Sequence, residues 1–162
     1  MFYRKKELLK LCQDGQAFVN VIGGGNINLI RLYSLFVNYR EFRSLTYLRL
    51  GLLSEPIKWL LPGQIALFIR VPSENVGGGV FIQHGHSTRI GAKSIGKNIF
   101  INQNVTIGWK GNGLPTIGNN VRIGTGAVIM GDVTIGNNVK IGANATVVKN
   151  VPDNCTVVSP QA

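Results

Sequence analysis

The chain is most regular over residues 115–147, which read PTIGNNVRIGTGAVIMGDVTIGNNVKIGANATV. An aliphatic residue stands at every sixth position within two runs: Ile95, Ile101, Ile107, then Ile117, Ile123, Ile129, Ile135, Ile141 and Val147. A glycine follows most of these residues, and Asn, Gly or Asp commonly comes two positions after the glycine. The pattern is an internal repeat, and it decides how the rest of the chain is interpreted.

A period of six fits neither an amphipathic helix, whose period is about 3.6, nor the alternation of a half-buried strand. It fits a triangular coil with three flat faces and about eighteen residues per rung, in which the aliphatic residues point inward and stack. Gly and Asn would occupy the corners, where a positive φ is easiest for them. The sequence therefore predicts a mainly β protein, a left-handed parallel β-helix of hexapeptide repeats, preceded by an α-helical region.

Breaks in the period set the expected boundaries. Ile117 follows Ile107 by ten positions instead of six, which predicts a loop insertion over 108–116 rich in Gly and Pro. Ile95 follows Ile90 by five positions, so an irregular rung is expected around 77–94. We expect the β-helix to extend over 63–158, with a short tail at 159–162.

Residues 1–62 lack the six-residue repeat and show roughly helical spacing of leucine and phenylalanine, which predicts a helical N-terminal cap. The glycines at 23–25 would divide two helical segments, and Gly51, Pro56 and Pro62 would end the second. An aromatic stripe could pack against the coil or face a membrane or partner; it comprises Tyr33, Phe36, Tyr39, Phe42 and Tyr47.

The 162 residues carry a net charge of +10, which attracts polyanions such as nucleic acid, an anionic membrane surface or a phosphorylated ligand like coenzyme A. No nucleic-acid motif is present, so no nucleic-acid partner is expected, whereas peripheral membrane contact stays open. No apolar run approaches the roughly 18 residues of a membrane span, and no signal peptide is recognised. Cys12 and Cys155 form no motif, which indicates a cytoplasmic protein.

The irregular rung contains the segment GGGVFIQHGHST at 77–88, with the only two histidines of the chain. His84 follows the inward-pointing Ile82 by two positions, so it should lie near a corner, next to Gly85. Its imidazole could take a proton from an attacking alcohol. The alternative is a pair of loop histidines without a role. Two histidines cannot complete a zinc site, so no metal is expected.

Four segments carry a resemblance to a known family: residues 79–85, 101–108, 115–136 and 141–152. Over 72–158 the chain resembles the serine acetyltransferase branch of the hexapeptide-repeat acyltransferases. It looks most similar to members found in capsule and exopolysaccharide biosynthesis, in which a helical lead-in like FRSLTYLRL at 42–50 precedes the coil.

This resemblance implies direct acetyl transfer from acetyl-CoA to a hydroxyl group in a homotrimer, with coenzyme A bound between neighbouring coils. His84 corresponds to the general base of the family. The resemblance also implies that five residues contact the coenzyme, with the lysine near its phosphates: Gly108, Trp109, Thr125, Ala143 and Lys149.

Three positions depart from the serine acetyltransferase pattern. Leu114 stands where the family has a second histidine, and Gln83 and Ile69 replace two aspartates. The departures favour a different acceptor, most simply a sugar hydroxyl on a small molecule or a lipid-linked precursor. The candidate acceptor side of the site comprises Glu74, whose carboxylate could orient His84, together with Gln83 and His86.

Three hypotheses follow from the sequence. The first is an O-acetyltransferase acting on a sugar of a surface polysaccharide, such as a capsule, exopolysaccharide or O-antigen. The second is a serine O-acetyltransferase of cysteine biosynthesis. The third is a non-catalytic trimeric β-helix scaffold that binds anionic partners through its positive charge.

Overall fold

The computed structural model describes residues 2–111 and 113–159, with side chains from Lys5 onward. Asn112 of the predicted loop and residues 160–162 of the predicted tail lie outside the described residues. The N-terminal part is helical: α1 (Phe2–Ile22), α2 (Leu29–Asn38), α3 (Arg40–Leu50), a 3-10 turn (Gly51–Ser54) and α4 (Glu55–Leu60).

Local sequence accounts for several helix ends. The Asn28 side chain accepts a hydrogen bond from the Arg31 backbone N–H and caps α2. Gly51 ends α3 with φ of 56°, a conformation that glycine adopts without strain. The prediction that Pro56 ends the helical region is wrong: Pro56 lies in the first turn of α4, where its missing N–H has no intrahelical partner to lose.

The remainder of the chain winds through three parallel sheets in turn, which confirms the predicted left-handed β-helix. Sheet A contains β1 (Leu67–Ile69), β3 (Thr88–Ile90), β6 (Thr106–Gly108), β9 (Val128–Met130) and β12 (Thr146–Val147). Sheet B contains β4 (Ser94–Ile95), β7 (Thr116–Ile117) and β10 (Thr134–Ile135). Sheet C contains β2 (Phe81–Ile82), β5 (Phe100–Ile101), β8 (Arg122–Ile123), β11 (Lys140–Ile141) and β13 (Thr156–Val157).

The repeated aliphatic residues form the core of the coil. In sheet C, Ile123 pairs in register with Ile101 on one side and with Ile141 on the other. In sheet A, Ile107 pairs with Ile129. All are almost completely buried, so each rung covers the apolar face of the next.

Asparagine holds the corner between sheets B and C, as the sequence predicts. Asn98, Asn120, Asn138 and Asn154 have φ near +60°. Their side-chain amides form a ladder with spacings of 3.0, 3.0 and 2.9 Å. A neighbouring ladder ends at Asp153, where hydrogen bonds from the backbone and side chain of Asn137 lower the pKa of the Asp153 carboxyl.

A buried ion pair joins the helical cap to the first rung. The Arg49 Nε donates to Asp14 Oδ2 at 2.9 Å, and both side chains are fully buried. The same guanidinium donates to the carbonyls of Val76 at 2.9 Å and Gly77 at 2.6 Å. Asp14 in turn accepts the Val80 backbone N–H at 2.8 Å. The cap is therefore fixed to the coil by directional bonds as well as by apolar packing.

The aromatic stripe mostly packs inside the protein. Phe42 is buried against Phe18, which also packs edge-on against Phe81 of the coil. Tyr47 is buried as well, whereas Tyr33 is 71% exposed. Within residues 2–111 and 113–159, no helix has the length and apolarity needed to cross a bilayer. Peripheral membrane contact stays a prediction.

Candidate active site

The three sheets meet at three edges, and the predicted site residues lie at two of them. The His84 edge, where the chain passes from sheet C to sheet A, comprises residues 83–87, 102–104, 124–126 and 142–144. The loop edge, where the chain passes from sheet A to sheet B, comprises residues 70–75, 91–93, 109–111, 113–115, 131–133 and 148–150.

His84 lies exposed at its corner, in the left-handed backbone conformation with φ of 63°. Ile82, two residues earlier, is 1% exposed, so the chain turns from the core to the surface within two residues. Gly85 also has a positive φ, of 52°, and its N–H donates to the Gln83 carbonyl at 2.8 Å. The tight turn presents the imidazole to solvent at the edge of sheet A.

The helical cap reaches this corner through two residues. Gln64 Nε2 donates to the His84 carbonyl at 3.0 Å and to Glu41 Oε1 at 3.1 Å. A Cβ added to Gly85 would lie 3.1 Å from the Glu41 Cγ and crowd that side chain, and the positive φ of Gly85 also favours glycine here. No sequence pattern points to Glu41 or Gln64, because they lie in the cap and its linker, outside any repeat.

Glu74, the predicted partner of His84, lies at another edge of the coil. It lies in a 3-10 turn, Ser73–Asn75, directly before Val76, which bridges to Ile95 of sheet B. Glu74 is therefore at the loop edge, one face of the coil away from His84. The carboxylate near the His84 corner is that of Glu41.

His86 shares the corner with His84. Its side chain is exposed, and its Nδ1 lies 3.4 Å from Gln64 Nε2. Its carbonyl accepts the Asn104 N–H of the next rung at 2.8 Å. Gln83 is half-buried at the same corner. The structure thus brings together Gln83, His84 and His86, with Glu41 and Gln64 beside them.

The predicted coenzyme contacts divide between the two edges. Thr125 and Ala143 lie on the His84 edge, and Thr125 Oγ1 donates to the Gln103 carbonyl at 3.1 Å. This edge carries little side-chain bulk near Gly124 and Gly142, so an extended ligand could lie along it. Gly108 ends β6 at the loop edge, followed by the 63% exposed Trp109, and the exposed Lys149 lies two rungs further on.

The inserted loop folds back at the loop edge. Lys110 and Gly113 form an antiparallel bridge. Leu114 Cδ2 lies 3.7 Å from the position that a Cβ on Gly91 would take, so Leu114 rests on the preceding rung. Lys93 and Asp132 form an exposed ion pair at 2.6 Å beside it. In the described part of the chain, no group of three or more His, Cys, Asp or Glu could hold a metal ion.

Comparison with known proteins identifies the repeat and a set of relatives. Residues 115–149 match the bacterial transferase hexapeptide family (six repeats). The serine acetyltransferase of Synechococcus elongatus is 44% identical over 92 residues, which are 54% of this chain and 38% of that protein. The serine acetyltransferase of Helicobacter pylori is 41% identical over 96 residues, 56% of each chain. The chain thus matches about half of the length of such curated relatives.

A solved structure extends the similarity to the helical cap. The crystal structure of Neisseria gonorrhoeae serine acetyltransferase in complex with serine superposes with a TM-score of 0.73 at 27% identity. The match covers 98% of this chain and 68% of that one. The resemblance to the serine acetyltransferase branch is confirmed. The similarity to capsule and exopolysaccharide enzymes is not, because these relatives are named serine acetyltransferases.

Proposed function

We propose that this protein is an acetyl-CoA-dependent O-acetyltransferase in which His84 is the general base. The observation that carries the proposal is the position of His84. It is an exposed imidazole on a fixed corner, at one end of an edge that continues past Thr125 and Ala143 with little side-chain bulk. The similarity to serine acetyltransferases supports the same reaction.

In this reaction the His84 imidazole takes the proton of the acceptor hydroxyl as its oxygen attacks the thioester carbonyl of acetyl-CoA. The tetrahedral intermediate then collapses, the C–S bond breaks, and the coenzyme A sulfur takes up the proton. The products are an acetyl ester and free coenzyme A. No covalent enzyme intermediate is needed, since both substrates can be bound together.

The division of the coenzyme residues between two edges supports a homotrimer. Within one chain, Thr125 and Lys149 are separated by the face of sheet A, about six residues or on the order of 15–20 Å wide. Neighbouring chains of a closed three-fold assembly could place the loop edge of one next to the His84 edge of another. Gly108, Trp109 and Lys149 would then contact a coenzyme held beside the partner's Thr125 and Ala143.

Two acceptors remain in the proposal. Serine is favoured by the named relatives, one of which was crystallised with serine. A sugar hydroxyl is favoured by Leu114, Gln83 and Ile69, which replace the residues expected to handle serine. We also propose a cytoplasmic location, in keeping with two free thiols at Cys12 and Cys155.

Acceptor identity is tested by thiol release from acetyl-CoA, with L-serine compared with a panel of nucleotide sugars and free hexoses. We expect acceptor-dependent release with one class and a product heavier by one acetyl group in mass spectrometry. Release with serine would select the second hypothesis, and release with a sugar alone would select the first. No acceptor-dependent release with any member of either class would contradict the proposed reaction.

A further inference from the structure

We propose that His86 binds the acceptor as a hydrogen-bond donor through its Nε2–H, and that Gln64 of the linker, itself bonded to Glu41 of α3, selects this tautomer of the ring. The inference rests on the proposed function for the identity of the ligand, a hydroxylated acceptor. It does not rest on that function for the tautomer itself, which follows from the contacts of Gln64.

The orientation of the Gln64 amide is fixed by its neighbours. The Ile65 backbone N–H donates to Gln64 Oε1 at 3.1 Å, so the other end of the amide is the nitrogen. Gln64 Nε2 faces the carboxylate of Glu41 at 3.1 Å and the carbonyl of His84 at 3.0 Å. Both partners can only accept, so the amide must donate in their direction.

The same amide nitrogen determines which His86 nitrogen carries the proton. Nδ1 of His86 lies 3.4 Å from Gln64 Nε2. Both protons of this NH₂ group are directed at Glu41 and at the His84 carbonyl, so Nδ1 receives at most a share of one of them. A proton on Nδ1 would point at a nitrogen that cannot accept it, whereas an unprotonated Nδ1 meets no such conflict. The proton of the neutral ring is therefore on Nε2. In metal-ligating histidines, likewise, the hydrogen bond made by one ring nitrogen determines which tautomer is present.

The Nε2–H is available to a ligand, because His86 is exposed and shares its corner with His84. The two imidazoles are separated by Gly85 alone. While His84 takes the proton of the attacking hydroxyl, His86 can donate to a second oxygen of the same acceptor. A carboxylate oxygen of serine or a neighbouring sugar hydroxyl could accept this hydrogen bond. His86 could therefore take the place of the second histidine of the family, whose position is occupied here by Leu114.

Nuclear magnetic resonance of the full chain with ¹⁵N-labelled histidine tests the tautomer. Since the chain has two histidines, the His84→Ala variant leaves His86 as the single imidazole signal. We expect long-range ¹H–¹⁵N couplings to show the Nε2–H form, and Gln64→Leu to lower its share to the moderate preference that a free imidazole has. The exposed Gln13 of α1 gives a matched control, Gln13→Leu, which should change nothing. An Nδ1–H tautomer, or one unaffected by Gln64→Leu, would overturn the inference.

Steady-state kinetics test the role in acceptor binding. Gln64→Leu should raise the KM for the acceptor about two- to threefold, less than the loss of a whole hydrogen bond, because His86 can still donate but its tautomer is no longer selected. The KM for acetyl-CoA should be unchanged. Glu41→Gln, whose amide oxygen can still accept, should rescue most of the loss seen in Glu41→Leu. A proportional change in both KM values would indicate a structural role and contradict the proposal. An inactive wild type would reject the proposed function, while the spectra would still decide the tautomer.

Discussion

Replacing His84 by alanine is expected to lower the rate of acetyl transfer by about 10²- to 10⁴-fold, the usual contribution of a general base. The side chain is exposed and makes no hydrogen bond within the described residues, so its removal should leave the fold intact. Thiol release from acetyl-CoA at saturating acceptor gives the rate. Light scattering shows whether the assembly state is unchanged.

Lys97 offers a matched control for this prediction, since it is an exposed residue at the edge between sheets B and C, away from both site edges. Lys97→Ala should keep the activity of the wild type within experimental error. Turnover of the His84→Ala variant at the wild-type rate would exclude His84 as the base.

Replacing Arg49 by methionine is expected to destabilise the fold by about 3–5 kcal/mol, because it leaves a buried carboxylate without its partner. Asp14 is fully buried, and burial raises the pKa of its carboxyl against the opposing effect of the Arg49 guanidinium. The variant also removes the donors to the carbonyls of Val76 and Gly77. Urea denaturation followed by circular dichroism measures the loss.

The dependence of this loss on pH separates a charge effect from a packing effect. Without the guanidinium, the folded-state pKa of Asp14 rises further above its unfolded value, so stability decreases as the pH rises toward that folded pKa. We expect a smaller loss in acid than at neutral pH. Arg40→Met, at an exposed position of α3, is the control and should change stability by less than about 0.5 kcal/mol. Equal stability of Arg49→Met and wild type would contradict a structural role for the ion pair.

The coil could be predicted from sequence because its determinants are local. An inward aliphatic residue and a corner Asn or Gly recur every six positions, and each rung repeats the previous one in register. Asn120 and Asn138 illustrate this, since their positive φ values and ladder bonds follow from their place in the repeat. His84 could be placed at a corner by the same counting.

The contacts of the cap could not be predicted, because they join segments far apart in sequence without a shared period. Arg49 and Asp14 are 35 residues apart, and Gln64 and Glu41 are 23 apart. Residue type alone would place Arg43 and Arg49 on the surface, yet both side chains are buried. The choice of Glu74 as a partner for His84 failed for a related reason: proximity in sequence did not reveal that the two residues lie at different edges.

The proposed coenzyme site could be predicted only in part from the sequence. The repeat assigns Thr125 and Ala143 to corners, and the inserted loop marks Gly108 and Trp109 as the start of an excursion. Their separation across the face of sheet A emerges from the order in which the chain visits the three sheets. That geometry turns a set of predicted contacts into a specific proposal, a site shared between two chains.

Calorimetric titration of acetyl-CoA into the purified protein measures whether the chain binds the coenzyme along the His84 edge. We expect saturable binding that is the same, within about twofold, for the wild type and His84→Ala, since His84 acts on the acceptor hydroxyl and the coenzyme contacts are made by other residues of the edge. Ala143→Trp, which fills the exposed His84 edge, should weaken binding at least about tenfold. No detectable binding by the wild type would contradict the proposed acetyltransferase reaction and favour a non-catalytic scaffold. Unchanged binding by Ala143→Trp would exclude the His84 edge as the coenzyme site.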